Sequence, residues 1–171
     1  EIFKDSVKLR LRSDVKVGTC LSGGLDSSSI AATASKLYDS EDKFSAIHGI
    51  AIEKNNDESK YANQVANHCS LNFHTISPDT NQFSDAIYDV VRTQEEPFGG
   101  TSVFMQYFVM KKAKEEGCIV MLDGQGGDET LLGYDKYIFP YLYHQFKSFG
   151  MKEFSSSLRE LKLNNSNLKN W

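Results

Sequence analysis

Cysteine, proline and tryptophan are scarce in this sequence, with three, three and one copies among 171 residues. The cysteines, Cys20, Cys69 and Cys118, are far apart along the chain and form no Cys-x-x-Cys pair. An odd number of widely spaced cysteines favours buried thiols in a reducing compartment over disulfides or a zinc site. We therefore expect a cytoplasmic protein.

Long apolar runs, long basic runs and the commonest phosphate-binding signatures are also missing. No apolar run approaches the ~20 residues that cross a bilayer, so no membrane partner is expected. The formal net charge is −4, which argues against a nucleic-acid partner. Neither a Walker motif nor the three-glycine dinucleotide fingerprint occurs. The length allows one globular domain with its own core. Because the chain begins at Glu1 without a methionine, we expect a piece of a longer protein.

A short apolar run that ends in a glycine turn stands out among the features that are present. Leu21 ends the run, Ser22-Gly23-Gly24 forms the turn, and Asp26-Ser27-Ser28 opens an alanine-rich helix. Glycines let a backbone approach a ligand closely, and the N–H groups and dipole of a helix start favour an anion. A carboxylate at Asp26 fits beside phosphate if Mg²⁺ lies between them. An ordinary capped turn is the alternative that spacing leaves open.

A second glycine-rich turn, 123–129, follows the apolar segment 118–122 and contains three carboxylates. An acidic surface turn is one interpretation. In a parallel sheet, however, ligands bind outside the carboxyl ends of the strands, where both turns would lie. We therefore predict one shared site in which Asp26 and Asp128 hold Mg²⁺ against a triphosphate.

Hydrophobic periodicity alternates between strand-like and helix-like segments along the chain. Helices are predicted over 1–12, 26–38, 59–69, 82–93, 103–114 and 151–163. Strands are predicted up to Leu21 and over 44–52, 72–76 and 118–122, with a capped turn at 55–57 and a loop at 95–100. This alternation predicts an α/β fold with a parallel sheet sandwiched by helices.

Two further groups of residues receive structural interpretations. The aromatic segment 134–149 is interpreted as core or as an inter-domain contact, and 164–171 as a polar loop. The four histidines have no metal-ligand spacing, which favours packing or surface roles.

The first turn, 22–28, resembles the pyrophosphate-binding loop of the ATP pyrophosphatase (PP-loop) superfamily. Three further segments resemble the synthetase domain of glutamine-hydrolysing asparagine synthetases: 6–15 before the loop, Glu96-Pro97-Phe98, and 122–129 with Gly133-Tyr134 behind it. The matches span about residues 5–135. The resemblance implies an adenine nucleotide alpha hydrolase-like fold.

The resemblance also implies a nucleotide site that uses ATP and Mg²⁺. The implied nucleotide-binding residues are Leu21, Ser22, Gly23, Gly24, Asp26, Ser27, Ser28, Ile50, Asp123 and Gly124. Backbone at Leu21, near Ile50 and at Gly124 would hold the adenosine, and Asp26 and Asp128 would bind the metal. The side-chain carboxylate of aspartate would attack the α-phosphate, and ammonia would then displace AMP from the acyl-adenylate.

Asp26, Gln125 and Asp128 are the implied catalytic residues. Gln125 stands where many relatives carry glutamate. A neutral amide cannot act as a base, so we assign Gln125 a positioning role. The loop carboxylates Glu95 and Glu96 are expected near the acceptor site.

The sequence departs from the family pattern at both ends. The glutaminase domain, whose N-terminal cysteine releases ammonia, has no counterpart here, and neither has the later segment with a lysine and much of the acceptor pocket. We expect residues 1–135 to form the synthetase core and 136–171 to be a truncated helical continuation. The full-length amidotransferase would pair this part with a glutaminase domain and is expected to form a homodimer.

Three alternatives stay open at the level of sequence. Relatives adenylate other carboxylates, closing β-lactam or macrolactam rings or amidating sugar acids. Other superfamily members are NAD synthetases, GMP synthetases and tRNA-thiolating enzymes, although the second acidic loop argues against these. The third alternative is a nucleotide-binding module that is inactive alone.

Overall fold

Four short strands form one parallel sheet in the computed structural model of the protein, which describes residues 1–51, 53, 57–131 and 133–164. The strands are β1 (Val17–Cys20), β2 (Ser45–Gly49), β3 (Asn72–Ile76) and β4 (Val120–Leu122). Their order across the sheet is β3-β2-β1-β4, and every pairing is parallel. The predicted parallel α/β fold is confirmed.

The helices lie before, between and after the strands. Six helices precede β4: α1 (Ile2–Arg10), α2 (Leu25–Leu37), α3 (Ser59–His68), α4 (Thr80–Asp85), α5 (Ile87–Gln94) and α6 (Ser102–Glu115). After β4 come α7 (Gly127–Leu131), a 3₁₀ turn (Asp135–Tyr137), α8 (Ile138–Phe149) and α9 (Met151–Asn164). Among the described residues, none of these helices is long and apolar enough to span a membrane.

The chain divides into two compact units, Glu1–Gln125 and Gly126–Trp171, and the sheet belongs to the first. The domain boundary expected near residue 135 stays a prediction. Part of the predicted segments lies outside the described residues: Ile52, 55–56 and 165–171.

Two hydrophobic cores cover the two faces of the sheet. Side chains alternate between faces along a strand, so in β2 Ala46 belongs to one core and Ile47 to the other. The first core contains Ala31 of α2 and Ala66 of α3, and the second contains Val109 of α6. Helices therefore pack on both faces, as the sequence predicted.

The single helix predicted over 82–93 is wrong, because the structure has α4 and α5 there. Asp79 caps α4 through a capping box with Gln82. Helix α4 ends at Asp85, and the ψ of −7° at its C-cap residue, Ala86, departs from the helical value. Phe83 before the break and Val90 after it both join a core around Phe108. The short helices thus share one buried face, which the sequence displays as one continuous amphipathic pattern.

The prediction of a fully buried last strand over 118–122 is also wrong. Within the part of the chain that the structure describes, β4 covers Val120–Leu122 and has β1 as its one partner strand. Ile119 is 64% exposed, whereas Leu122 is buried. A strand at the end of the strand order has one covered edge and one open edge, so an apolar string does not guarantee burial on every side.

The second unit is helical. The Phe146 and Phe154 rings of α8 and α9 meet at 6.1 Å, and the Tyr141 hydroxyl lies 3.4 Å from Ser157 Oγ. Phe139 and Tyr143 are exposed, so the aromatic segment is not a closed core in the described residues. Its interpretation as an inter-domain contact stays a prediction.

Candidate functional site

The two glycine turns follow the carboxyl ends of two neighbouring strands, β1 and β4. β1 and β4 are parallel partners, with Thr19 opposite Leu122. Thr19 is fully buried, and its Oγ1 donates a hydrogen bond to the Leu122 carbonyl at 3.0 Å. This bond links the strand ends from which the two turns begin. The predicted placement of both turns at carboxyl ends is therefore confirmed.

The first turn is held by hydrogen bonds among its own residues. The Ser22 N–H donates to Ser27 Oγ at 3.2 Å, and the Gly24 N–H donates to Ser22 Oγ at 3.2 Å. The two hydroxyl oxygens lie 2.9 Å apart. Ser22 and Ser27 thus organise the turn, whereas the buried Ser28 Oγ has no partner among the described residues. Of the three predicted hydroxyl donors, Ser28 is the one left uncommitted.

Helix α2 begins without a side-chain cap. Its N-cap is Gly24, and no side chain of the described residues accepts from the first turn. The first N–H groups of an α-helix have no intrahelical acceptor, and the helix dipole places partial positive charge there. The start of α2, which follows β1 directly, is therefore suited to an anion such as phosphate.

Gly124 brings the second turn against this helix start. A Cβ placed on Gly124 would lie 3.0 Å from the Ser27 nitrogen and 3.1 Å from Asp26 Cβ. The absence of a side chain at Gly124 keeps the helix N–H groups uncovered. The structure therefore brings together the sequence-predicted residues Ser27 and Gly124.

Gly124→Ala is expected to weaken Mg·ATP binding by about tenfold, because the added methyl crowds a donor that would bind charged phosphate. Calorimetric titration would measure the change. Gly99→Ala is the matched control, since a Cβ there meets nothing within 4 Å. Equal affinities for the two variants would contradict the assignment of Gly124.

Gly23 packs the first turn onto α3. Its φ is +96°, and a Cβ there would lie 2.6 Å from the Ala62 nitrogen. Gly24, by contrast, has an ordinary φ of −67°. A side chain at Gly23 is therefore excluded by both its positive φ and its contact with α3, whereas Gly24 has a backbone conformation open to any residue.

Asp26 lies in the first turn of α2 and is partly exposed. Among the described residues no hydrogen bond or ion pair engages its carboxylate. An uncommitted carboxylate oxygen beside open helix N–H groups fits a hard cation that bridges to phosphate. The residues present at this turn therefore fit Mg²⁺, although the described residues contain no group of three or more metal-binding side chains.

Asp128 and Glu129 lie in the first turn of α7, in the second unit. The Tyr134 hydroxyl donates to Glu129 Oε1 at 2.7 Å, a bond that lowers the pKa of Glu129 and raises that of Tyr134 to about 12. A Cβ on Gly133 would overlap the Asp128 carboxylate. Glu129 is thus engaged within its unit, whereas among the described residues no hydrogen bond or ion pair engages the Asp128 carboxylate. Its pairing with Asp26 stays a prediction.

The remaining predicted residues have defined surroundings. The Leu21 N–H donates to the Ile47 carbonyl at 2.9 Å and the Ile50 N–H to Ile76 at 2.8 Å, so adenosine contacts there would use other backbone groups. Gln125 is exposed. Burial, with the charge of Asp123 in second place, raises the pKa of the Cys20 thiol to about 12. Cys20 is therefore no nucleophile at neutral pH.

The strand ends, the uncapped helix and the close approach of Gly124 define a parallel α/β protein with a site suited to an anion. The asparagine synthase family model matches residues 1–170. The chain belongs to that family.

Named relatives agree with this assignment. The chain is 35% identical over 136 residues to a putative asparagine synthetase (glutamine-hydrolyzing) 2 of Methanocaldococcus jannaschii, covering 78% of this chain and 25% of that protein. Identity to asparagine synthetase B (glutamine-hydrolyzing) of Escherichia coli is 34% over 146 residues, covering 78% and 26%. For the amidase chyE of Penicillium rubens it is 28% over 145 residues, covering 78% and 22%. The chain thus spans about a quarter of the length of these relatives.

Among solved structures, the NH3-dependent NAD synthetase of Campylobacter jejuni aligns with 99% of this chain and 74% of that chain. The identity is 18% and the TM-score is 0.49, a likeness too low to support an inference about this chain.

Proposed function

We propose that the chain is the ATP-binding part of an amide-forming ligase that adenylates the side-chain carboxylate of aspartate. Ammonia released from glutamine then yields asparagine, with AMP and pyrophosphate as the other products. The observation that carries this proposal is the uncapped start of α2, kept open by Gly124 of the neighbouring strand end. Family membership adds the reaction class, since two of the three relatives reported above are named glutamine-hydrolyzing asparagine synthetases.

The turn at 22–28 would bind the β- and γ-phosphates through the helix N–H groups and Ser28 Oγ. Asp26 and Asp128 would hold Mg²⁺, which neutralises charge on the departing pyrophosphate when it is bound. Asp123 and Gly124 would border the adenosine with Leu21 and Ile50. Because the Leu21 and Ile50 N–H groups are used by the sheet, we expect adenosine to contact other backbone groups of these residues.

Gln125 would position substrate rather than move a proton, because an amide has no accessible basic form. It follows Gly124 directly and its side chain is exposed, so it can contact a ligand bound at the strand ends. The glutaminase partner domain, the homodimer of the full-length protein and the cytoplasmic location belong to the same proposal.

A second candidate is a ligase that adenylates a different carboxylate. The observation in its favour is the similarity to chyE, which is named an amidase rather than an asparagine synthetase. Amidation of another acid would use the same nucleotide turns and differ only in the acceptor pocket.

Pyrophosphate release by the full-length protein, measured with a panel of carboxylic acids, tests the acceptor. Aspartate is expected to stimulate release above every other acid in the panel. If only a different acid stimulated pyrophosphate release, that acid would be assigned as the acceptor instead of aspartate. Calorimetry of the present chain with Mg·ATP, repeated with Asp128→Ala, tests the nucleotide site separately, and the variant is expected to lose most of the affinity.

A further inference from the structure

His48 is a buried histidine whose ring contacts Leu21, the residue directly before the first glycine turn. It lies in β2 with 3% of its surface exposed. Its ring stacks on Phe73 of β3, with ring centroids 6.0 Å apart and an interplanar angle of 28°. The large majority of buried side-chain polar atoms in proteins have a hydrogen-bond partner.

Both ring nitrogens of His48 do have partners, and these continue into a chain of hydrogen bonds. Nδ1 lies 2.7 Å from the Leu21 carbonyl oxygen, and Nε2 lies 2.9 Å from Ser59 Oγ. Ser59 Oγ in turn contacts Asp57 Oδ1, and the Ser59 N–H donates to the same oxygen at 3.1 Å. This series of hydrogen bonds therefore runs from Leu21, the residue before the first turn, to the carboxylate of Asp57, just before α3.

The number of protons in this series of hydrogen bonds is fixed by the groups at its two ends, the Leu21 carbonyl and the Asp57 carboxylate. The Leu21 carbonyl can only accept, so Nδ1 must carry a proton. An ionised Asp57 can also only accept, so the single Ser59 hydroxyl proton points to Asp57. Ser59 Oγ then has no proton left for Nε2, and Nε2 must donate as well.

Asp57 is ionised in this arrangement. Its hydrogen bonds from the Ser59 hydroxyl and the Ser59 N–H lower its pKa. The groups placed at the ring are the Leu21 carbonyl from β1, Ser59 of α3 and Phe73 of β3, and Asp57 is the charged group joined to it through Ser59. A ring that donates from both nitrogens is an imidazolium.

We propose that His48 is a positioning residue of the nucleotide site, acting as a buried imidazolium that ties the Leu21 carbonyl to the Ser59–Asp57 pair. The bond fixes the backbone immediately before Ser22. The ring also places a positive charge behind a turn that receives a triphosphate, where low dielectric strengthens its effect. This inference rests on the proposed function, because the ligand that benefits is ATP.

Nuclear magnetic resonance of the present chain tests the protonation directly. At pH 7 both ring nitrogens of His48 are expected to carry protons, and Ser59→Ala is expected to leave Nε2 without its partner and reduce the protonated fraction. Ser59→Thr keeps the hydroxyl and is expected to restore it. A neutral His48 ring at pH 7 in the unmodified chain would overturn the proposal.

Amide exchange at Ser22–Gly24 and Mg·ATP titration between pH 6 and 8.5 test the positioning role. His48→Gln is expected to speed exchange in the turn and to weaken Mg·ATP affinity about tenfold. Asp57→Asn, at an exposed carboxylate, is expected to act in the same direction and covers the case in which His48→Gln does not fold. His68→Gln, at an exposed histidine of α3, is the matched control and should keep both the exchange rate in the turn and the Mg·ATP affinity.

The outcomes separate this inference from the proposed function. A protonated ring with unchanged exchange and unchanged affinity in both His48→Gln and Asp57→Asn would overturn the positioning role. Absence of Mg·ATP binding by the unmodified chain at every pH would count against the proposed function of this chain. In that case the exchange at Ser22–Gly24 still decides whether His48 holds the turn.

Discussion

Gly23→Ala is expected to lower the free energy of unfolding of the first unit by about 2–4 kcal/mol and to abolish Mg·ATP binding. The φ of +96° costs an alanine on the order of 1–3 kcal/mol of strain. The added methyl would also lie 2.6 Å from the Ala62 nitrogen and 2.8 Å from Tyr61 Cβ, so the backbone of α3 must shift. Urea unfolding and calorimetric titration would measure the two effects.

Gly24→Ala is the matched control for this substitution. Gly24 has a φ of −67°, and a Cβ there meets only Ser22 Oγ, at 3.3 Å. As the N-cap residue it is expected to cost less than about 1 kcal/mol when replaced by alanine. Equal unfolding curves for the two variants would show that the turn does not pack on α3 in solution.

Asp26→Asn is expected to reduce pyrophosphate release by the full-length protein at least ~10²-fold, because electrostatic stabilisation of the leaving group is lost. The free energy of unfolding is expected to stay within about 0.5 kcal/mol, since the carboxylate has no partner among the described residues. The measurements are steady-state pyrophosphate release at varied Mg²⁺ and urea unfolding of the present chain.

Asp14→Asn removes the same charge at an exposed position before β1, at the opposite end of that strand from the turn. It should leave pyrophosphate release unchanged. If Asp26→Asn retained full activity and the same Mg²⁺ requirement, the assignment of Asp26 as a metal ligand would be wrong.

Local signals in the sequence were sufficient for the outline of the site. Glycines directly after an apolar run and before a helix mark a strand–turn–helix junction wherever they occur, so the turn at 22–24 was predictable. The third strand, 72–76, also has its predicted bounds. Once the strands are parallel, both turns must lie at the same end of the strands, the carboxyl end.

The features that the sequence did not reveal depend on contacts between distant segments. β4 lies at the end of the strand order, and Ile119, directly before it, is exposed; no local pattern encodes that position in the sheet. The break at Ala86 is hidden because both short helices bury the same face. The histidines were interpreted as packing or surface residues, and the bond of His48 to Leu21 joins positions 27 residues apart. The one local signal of this contact was the presence of a polar histidine within a mostly apolar strand.

The order of the strands determines when the site is completed during synthesis. β1 lies between β2 and β4, and about 100 residues separate it from β4, which a ribosome adds in roughly 5–20 s. Until 120–122 emerge, one edge of β1 has unpaired N–H and C=O groups and can pair with strands of other chains. If nucleotide binds as proposed, it would stabilise only chains that have passed this stage. A chain that stops before residue 118 therefore contains the whole first turn and still exposes an aggregation-prone edge.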